Sequence, residues 1–166
     1  MSRRHGFTLI ELILVLAIVG LLAFVASPRL ENLPTTRAYF ALRQLQSDVR
    51  YAQLLAIESQ KRLRIVFDIP ANQYRVEKED PAGVWSSAVH PATKGNYTVQ
   101  FGADNYAGVQ ITAAVFDGNS TVIFDSYGAP FDAANAALTE PAYLDLNSKY
   151  RLNFHAQTGK VEQVTL

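Results

Sequence analysis

Apolar and polar positions divide the chain into three regimes. From Phe7 to Ser27 the pattern is a continuous apolar run, 21 residues holding one charge, Glu11. From about residue 35 to residue 60 it becomes helical: Ala38, Leu42, Leu45, Val49, Ala52 and Ala56 step by 4, 3, 4, 3 and 4. That spacing predicts one narrow helix face turned to a core, with Thr35 and Thr36 as N-cap candidates. A second apolar group, Phe40, Tyr51, Leu54 and Leu55, lies on another side of the same helix. A helix apolar on two faces needs two partners, so these four are read either as ordinary surface or core contacts or as contacts to a neighbouring subunit.

Beyond Arg64 the period changes to two. Arg64–Asp68 and Gln73–Glu77 predict a hairpin around Pro70-Ala71-Asn72. A short strand is expected near Val84-Trp85-Ser86, and longer ones at Tyr97–Phe101, Val109–Phe116 and Thr121–Phe124. Asp117-Gly118-Asn119-Ser120 predicts a tight connection. Ala133 to Leu138 has neither charge nor period and is expected to be an ordered loop or a single helical turn. Arg151–His155 and Lys160–Leu166 predict a closing hairpin that turns at Gln157-Thr158-Gly159. The expected class is α+β: a long N-terminal helix, half hydrophobic and half amphipathic, packed on an antiparallel sheet.

The first regime demands a function. As a helix, 21 residues reach roughly 32 Å, against about 30 Å for a hydrocarbon core. A carboxylate inside such a segment costs about 1–3 kcal/mol unless it is paired or held near an interface. A secretory signal fits poorly, because cleavage after Ala26 puts bulky Phe24 three positions upstream and cleavage after Ser27 puts Pro28 just beyond. A plain single-span anchor oriented by Arg3 and Arg4 leaves Glu11 without a purpose.

The run Gly6-Phe7-Thr8-Leu9-Ile10-Glu11, preceded by Arg3 and Arg4, resembles the processing site of type IV pilins and type II secretion pseudopilins. The resemblance implies a leader, residues 1–6, removed after Gly6 by a prepilin peptidase. It also implies N-methylation of the new terminus Phe7, and Glu11 as the assembly residue. Residues 7–27 would be a transmembrane and fibre-core helix and residues 28–166 a periplasmic pilin-like domain. Asp48–Ile57 running into Arg64–Asp68, Val122–Gly128, and Gln157–Val161 resemble the GspH/FimT group of minor subunits, more loosely.

What the resemblance implies is a structural minor pseudopilin of a type II secretion system, or alternatively a minor type IV pilin in pilus biogenesis or DNA uptake. Its partners would be the inner membrane, the peptidase, other pilin or pseudopilin subunits and an assembly platform. The chain would be single-pass with its C-terminal domain in the periplasm.

Composition narrows the rest. The chain has 166 residues, 15 basic and 15 acidic; loss of Arg3 and Arg4 leaves 13 against 15, a mature charge of −2. That balance gives no support for a general nucleic-acid binder. Absence of cysteine excludes disulfides and thiolate metal sites. Of the three histidines, His5 leaves with the leader, and His90 and His155 lack metal-ligand spacing. Asp117, Asn119 and Asp125 are too few for a calcium loop. Lys149, Arg151, His155 and Lys160 are weighed as a DNA surface, but Asp145 and Glu162 interleave with them. No nucleophile, phosphate loop or cofactor motif is present, so no enzyme, metal or cofactor is expected.

Overall fold

The computed structural model describes residues 8–26 and 33–166, with side chains described for 8–23 and 36–166. It divides into two units, Met1–Asn32 and Leu33–Leu166. The first contains helix α1, Leu9–Ala26. The second contains helix α2, Leu33–Ser59, followed by ten strands.

Helix α2 starts two residues before the threonines that were expected to cap it. Pro34 does not prevent this, because a first-turn residue has no intrahelical partner for its N–H and proline's fixed φ suits that position. The predicted seam is the buried face: Ala38, Leu45, Val49, Ala52 and Ala56 are inaccessible and Leu42 nearly so, and Ala41 joins them. Four alanines bring the helix axis close to the strands beneath, and each buried leucine or valine contributes about 1.5–3 kcal/mol.

The strands form two antiparallel sheets where a single one was expected. The first has the order β3-β2-β1-β6-β7, with β4 also pairing with β2. It is built on the predicted hairpin, β1 (Leu63–Asp68) and β2 (Gln73–Glu79), in which Asp68 faces Gln73 across the turn. Strands β3 (Trp85–Ser87) and β4 (Thr98–Gln100) share the outer edge of β2, while β6 (Thr121–Phe124) pairs with β1 and with the two-residue β7 (Pro130–Phe131). The second sheet has the order β10-β9-β8-β5. Its strands are β5 (Ile111–Val115), β8 (Ala142–Leu146), β9 (Tyr150–Phe154) and β10 (Val161–Thr165).

Asp117–Ser120 therefore does not close a hairpin between paired neighbours. It carries the chain from β5 in one sheet to β6 in the other, turning at a Phe116–Asn119 bridge. Residues 133–138 form a loop, as expected, with Ala137 bridged to Phe131. The closing hairpin pairs β9 with β10, Val161 opposite Phe154. Aromatic side chains from both sheets meet under α2: Phe67 stacks on Phe116 at 5.6 Å, and Phe116 meets Phe154 edge-on at 4.9 Å.

Candidate functional site

Helix α1 is the first candidate. Its preceding residue, Thr8, caps it: the Glu11 N–H lies 3.3 Å from Thr8 Oγ1, and the Leu12 N–H reaches the Thr8 carbonyl at 3.2 Å. Thr8-Leu9-Ile10-Glu11 thus has the T-x-x-E arrangement of a capping box, with Glu11 at the third helical position, where an acidic side chain also complements the helix dipole. The T-x-x-E pattern makes helix capping a second candidate role for Glu11, one legible in the sequence.

Every described side chain from Thr8 to Ala23 is exposed, Leu9 at 76 % and Leu16 at 63 % among them. A helix apolar on all sides and covered on none requires an apolar solvent or neighbours. Among the described residues, no helix is long and apolar enough to cross a membrane. The 18 residues of α1 reach about 27 Å, and the expected span exceeds this because it also counts Phe7, Thr8 and Ser27. Gly6 and Phe7, the expected cleavage and methylation site, lie outside the described residues.

The second candidate is the outer side of α2, where the four proposed contact residues separate into two pairs. Tyr51 and Leu55 pack against the core edge, Tyr51 with its ring 5.9 Å from that of Tyr97. Phe40 and Leu54 remain 62 % and 64 % exposed. Fourteen residues separate them, close to four full turns, so they share one stripe of the helix.

The three stretches that carry the looser resemblance converge on one side chain. Gln53 Nε2 donates to Gly128 O at 2.7 Å and to Thr158 O at 2.9 Å. Gly128 stands at φ +81°, where an added Cβ would come within 2.9 Å of Ile57 Cδ1. Gly159, at φ +65°, would bring one within 3.0 Å of Phe124 Cε1. The Asp125 carboxylate shapes the first of these loops by accepting from the Tyr127 and Ala129 N–H groups at 2.9 and 2.8 Å.

Sequence reasoning missed the most unusual group in the domain. Asp48 is 3 % exposed, beside the α2 seam. It accepts from the Tyr74 hydroxyl and, at 2.7 Å, from Gln44 Nε2. Burial pushes its carboxyl above the usual range, opposed by hydrogen bonds from Tyr74, Tyr97 and Gln44 and by the His90 charge. Burial, then the Asp48 charge, drives the Tyr74 hydroxyl well upward in turn. The only advance signal was an acid next to Val49 in an otherwise apolar seam.

The remaining candidates are engaged locally. The Asp117 carboxylate accepts from the Thr139 hydroxyl and N–H, tying its turn to the loop before β8, while Asp125 serves its own turn. Among the described residues no group of three metal-ligating side chains comes together. His90 Nδ1 accepts from the Ala92 and Thr93 N–H groups, and its ring lies 4.5 Å from that of Tyr97. His155 sits between Glu162 and Glu140 at 3.5 and 3.9 Å. Arg151 forks onto Asp145 at 2.7 and 2.8 Å and lies 3.7 Å over the Tyr143 ring. Lys160 pairs with Glu162 at 2.7 Å, and that pairing, followed by His155, holds the glutamate carboxyl below its usual range. Of the late basic residues only Lys149 is left beside no carboxylate, over the Tyr150 ring at 5.8 Å.

An apolar, capped N-terminal helix and a helix-backed two-sheet domain set the class as α+β. Residues 1–27 match the family described as the prokaryotic N-terminal methylation motif. The fold is shared with the crystal structure of the minor pseudopilin EpsH from the type II secretion system of Vibrio cholerae, at a TM-score of 0.58 and 10 % identity over 78 % of this chain and 94 % of that one. A second EpsH structure from Vibrio cholerae aligns at a TM-score of 0.45 and 12 % identity, covering 78 % and 97 % of the two chains. No curated protein matches the sequence. The motif is thus matched at the N-terminus, and the likeness to the minor pseudopilin EpsH is one of fold.

Proposed function

We propose that this chain is a structural minor pseudopilin of a type II secretion system, built to be stored in the inner membrane and then drawn into a short periplasmic fibre near its tip. A prepilin peptidase removes residues 1–6 after Gly6, and Phe7 becomes the methylated N-terminus. The observation that carries the reading is Glu11 at the third position of a helix exposed on every described side, within the matched methylation motif. In a fibre core the carboxylate of Glu11 pairs with the terminal amine of a neighbouring subunit, which replaces lost hydration with a charged partner. In storage, a shortfall of a few Å between α1 and the hydrocarbon thickness is met by local thinning or by the flanking residues. Residues 28–166 then stand in the periplasm, where Phe40 and Leu54 on the stripe of α2, with Tyr51 and Leu55 beside it, meet adjacent subunits. The role is mechanical, with no catalytic step and no cofactor.

Glu11 has two candidate duties, capping and pairing, and two substitutions separate them. Glu11→Gln keeps a side chain able to complete the capping box but removes the charge; Glu11→Ala removes both. Mass spectrometry of the membrane-extracted protein reports whether the chain begins at a methylated Phe7, and crosslinking into the fibre reports assembly. The proposal expects correct maturation of both variants and loss of incorporation in both. Restoration of incorporation by Gln assigns Glu11 to capping and overturns the pairing mechanism. A mature chain that starts anywhere but Phe7 overturns the functional reading as a whole.

A further inference from the structure

The first turns of α2 carry two exposed rings, Tyr39 and Phe40, of which the assembly reading uses only Phe40. The Tyr39 and Phe40 rings lie 6.3 Å apart, and Tyr39 lies 6.4 Å from the largely buried Tyr150 of β9, which backs the two outer rings. Phe40 is 62 % and Tyr39 38 % exposed. Two cations frame them. Arg43 lies 5.1 Å over the Tyr39 ring and donates to its hydroxyl at 3.0 Å, and Lys149 lies 5.8 Å over Tyr150. The guanidinium has five N–H donors, of which Tyr39 takes one. Arg50 follows Arg43 two turns along the same side.

Charge is distributed unevenly here. Lys61, Arg62, Arg64, Arg75, Arg151 and Lys160 each stand beside a carboxylate; among the described residues Arg43, Arg50 and Lys149 do not, and neither do Arg37, Lys78 and Lys94. From Leu33 to Arg50 the helix sequence contains Arg37, Arg43 and Arg50 and a single acid, Asp48, which is buried. Exposed aromatic rings flanked by unpaired cations fit the headgroup layer of an anionic bilayer, where rings take the apolar boundary and cations take the phosphates.

We propose that Tyr39, Phe40 and Arg43, with Lys149, form a docking surface for an anionic membrane. The inference rests on the reading of α1 as a membrane anchor. Only six residues, 27–32, separate the two helices in sequence, a reach of at most about 25 Å between residues 26 and 33. A surface with so few cations would bind vesicles feebly on its own; a tether that keeps it at the headgroups makes weak affinity sufficient. Before assembly the face is occupied by lipid, and departure from the membrane releases Phe40 for a neighbouring subunit.

The chain has no cysteine, so a single reporter can be introduced cleanly. The full-length protein, reconstituted in nanodiscs of phosphatidylcholine alone or mixed with phosphatidylglycerol, carries a fluorophore at Ser47→Cys, two turns from Phe40 on the exposed side. A second preparation carries it at Tyr127→Cys, 85 % exposed in the loop that meets the other end of α2. A lipid with a spin-labelled headgroup serves as quencher. The proposal expects quenching several-fold stronger at position 47 than at 127 in anionic discs, smaller in neutral ones, and reduced to the position-127 level by Phe40→Ser with Arg43→Glu and Lys149→Glu. Equal quenching at the two positions in protein that has entered the discs overturns the surface and leaves the anchor standing. Energy transfer between two copies labelled at 47, without headgroup quenching, assigns the face to subunit contact and overturns it as well. Protein that never enters the discs overturns the anchor and this inference together.

Discussion

Gln53 on α2 and Gly128 in the loop after β6 are joined by a 2.7 Å hydrogen bond from side-chain amide to main-chain carbonyl. The same amide holds Thr158 O, in the turn between β9 and β10, at 2.9 Å. One glutamine therefore ties the helix to a loop from each sheet, and the glycines at 128 and 159 are needed because nothing larger fits beside it.

Substitution at this junction gives a graded stability test. Gln53→Ala removes two hydrogen bonds at about 0.5–1.5 kcal/mol each, an expected loss of about 1–3 kcal/mol. Gly128→Ala adds a Cβ at positive φ that meets Ile57, and positive φ alone costs about 1–2 kcal/mol. Urea denaturation of the single variants and the pair measures both. Each loss is expected to fall short of additive in the double variant, because the two residues share a contact.

Asp48 sets a pH dependence with a defined sign. Its carboxyl is raised on folding, so the folded state holds the proton more tightly than the unfolded chain. The resulting stability is fully present below the unfolded value near 3.9 and is lost as pH rises through the folded value. The stability of the parent relative to Asp48→Asn should therefore decline across that acidic window and level off above it. Glu77 runs in the opposite sense, since Arg75 and Arg64 outweigh its partial burial and lower it, so the parent-minus-variant difference is the quantity to plot. Asp48→Leu leaves the buried Tyr74 hydroxyl facing an apolar side chain, at about 1–3 kcal/mol, while the exposed Gln44 amide can turn to water.

Leu54 and Leu55 are sequence neighbours with different expected phenotypes. Leu54→Ser should leave the unfolding midpoint nearly unchanged and lower fibre incorporation, because the side chain is exposed. Leu55→Ser removes a side chain packed on the core and should cost about 1–2 kcal/mol before any assembly effect is felt. Thermal unfolding read beside crosslinking separates the two.

Arg151 tests the DNA alternative. Its guanidinium is committed to Asp145, which is 7 % exposed, and to the Tyr143 ring. Arg151→Ala should destabilise the protein by about 1 kcal/mol, since the guanidinium is partly exposed and the pair is screened by solvent, and duplex DNA retention by the parent at moderate salt is expected to be absent. Salt-sensitive retention lost with Lys149→Glu would reverse this expectation.

The helix seam, the first hairpin and the closing hairpin were all legible because each is patterned on one buried face. Strand β8 was not, because Ala142, Leu144, Asp145 and Leu146 are all buried, so its alternation is hidden by burial on both sides. The split into two sheets was equally hidden: Asp117–Ser120 has the chemistry of a hairpin turn, and only tertiary pairing sends β5 and β6 to different partners. At the candidate site, Glu11 stood out by its energetic cost. Asp48 did not, because its partners Tyr74 and Tyr97 come from distant strands with no local pattern linking them to it.

Because the alanine-lined seam of α2 lies across strands of both sheets, tension applied at the helix N-terminus runs along that contact. Such a load shears many small side chains at once and cannot unzip one sheet ahead of the other. A subunit hauled by its N-terminal end would thus yield late and as a whole, which single-molecule pulling from that end, compared with pulling across β9 and β10, can measure directly.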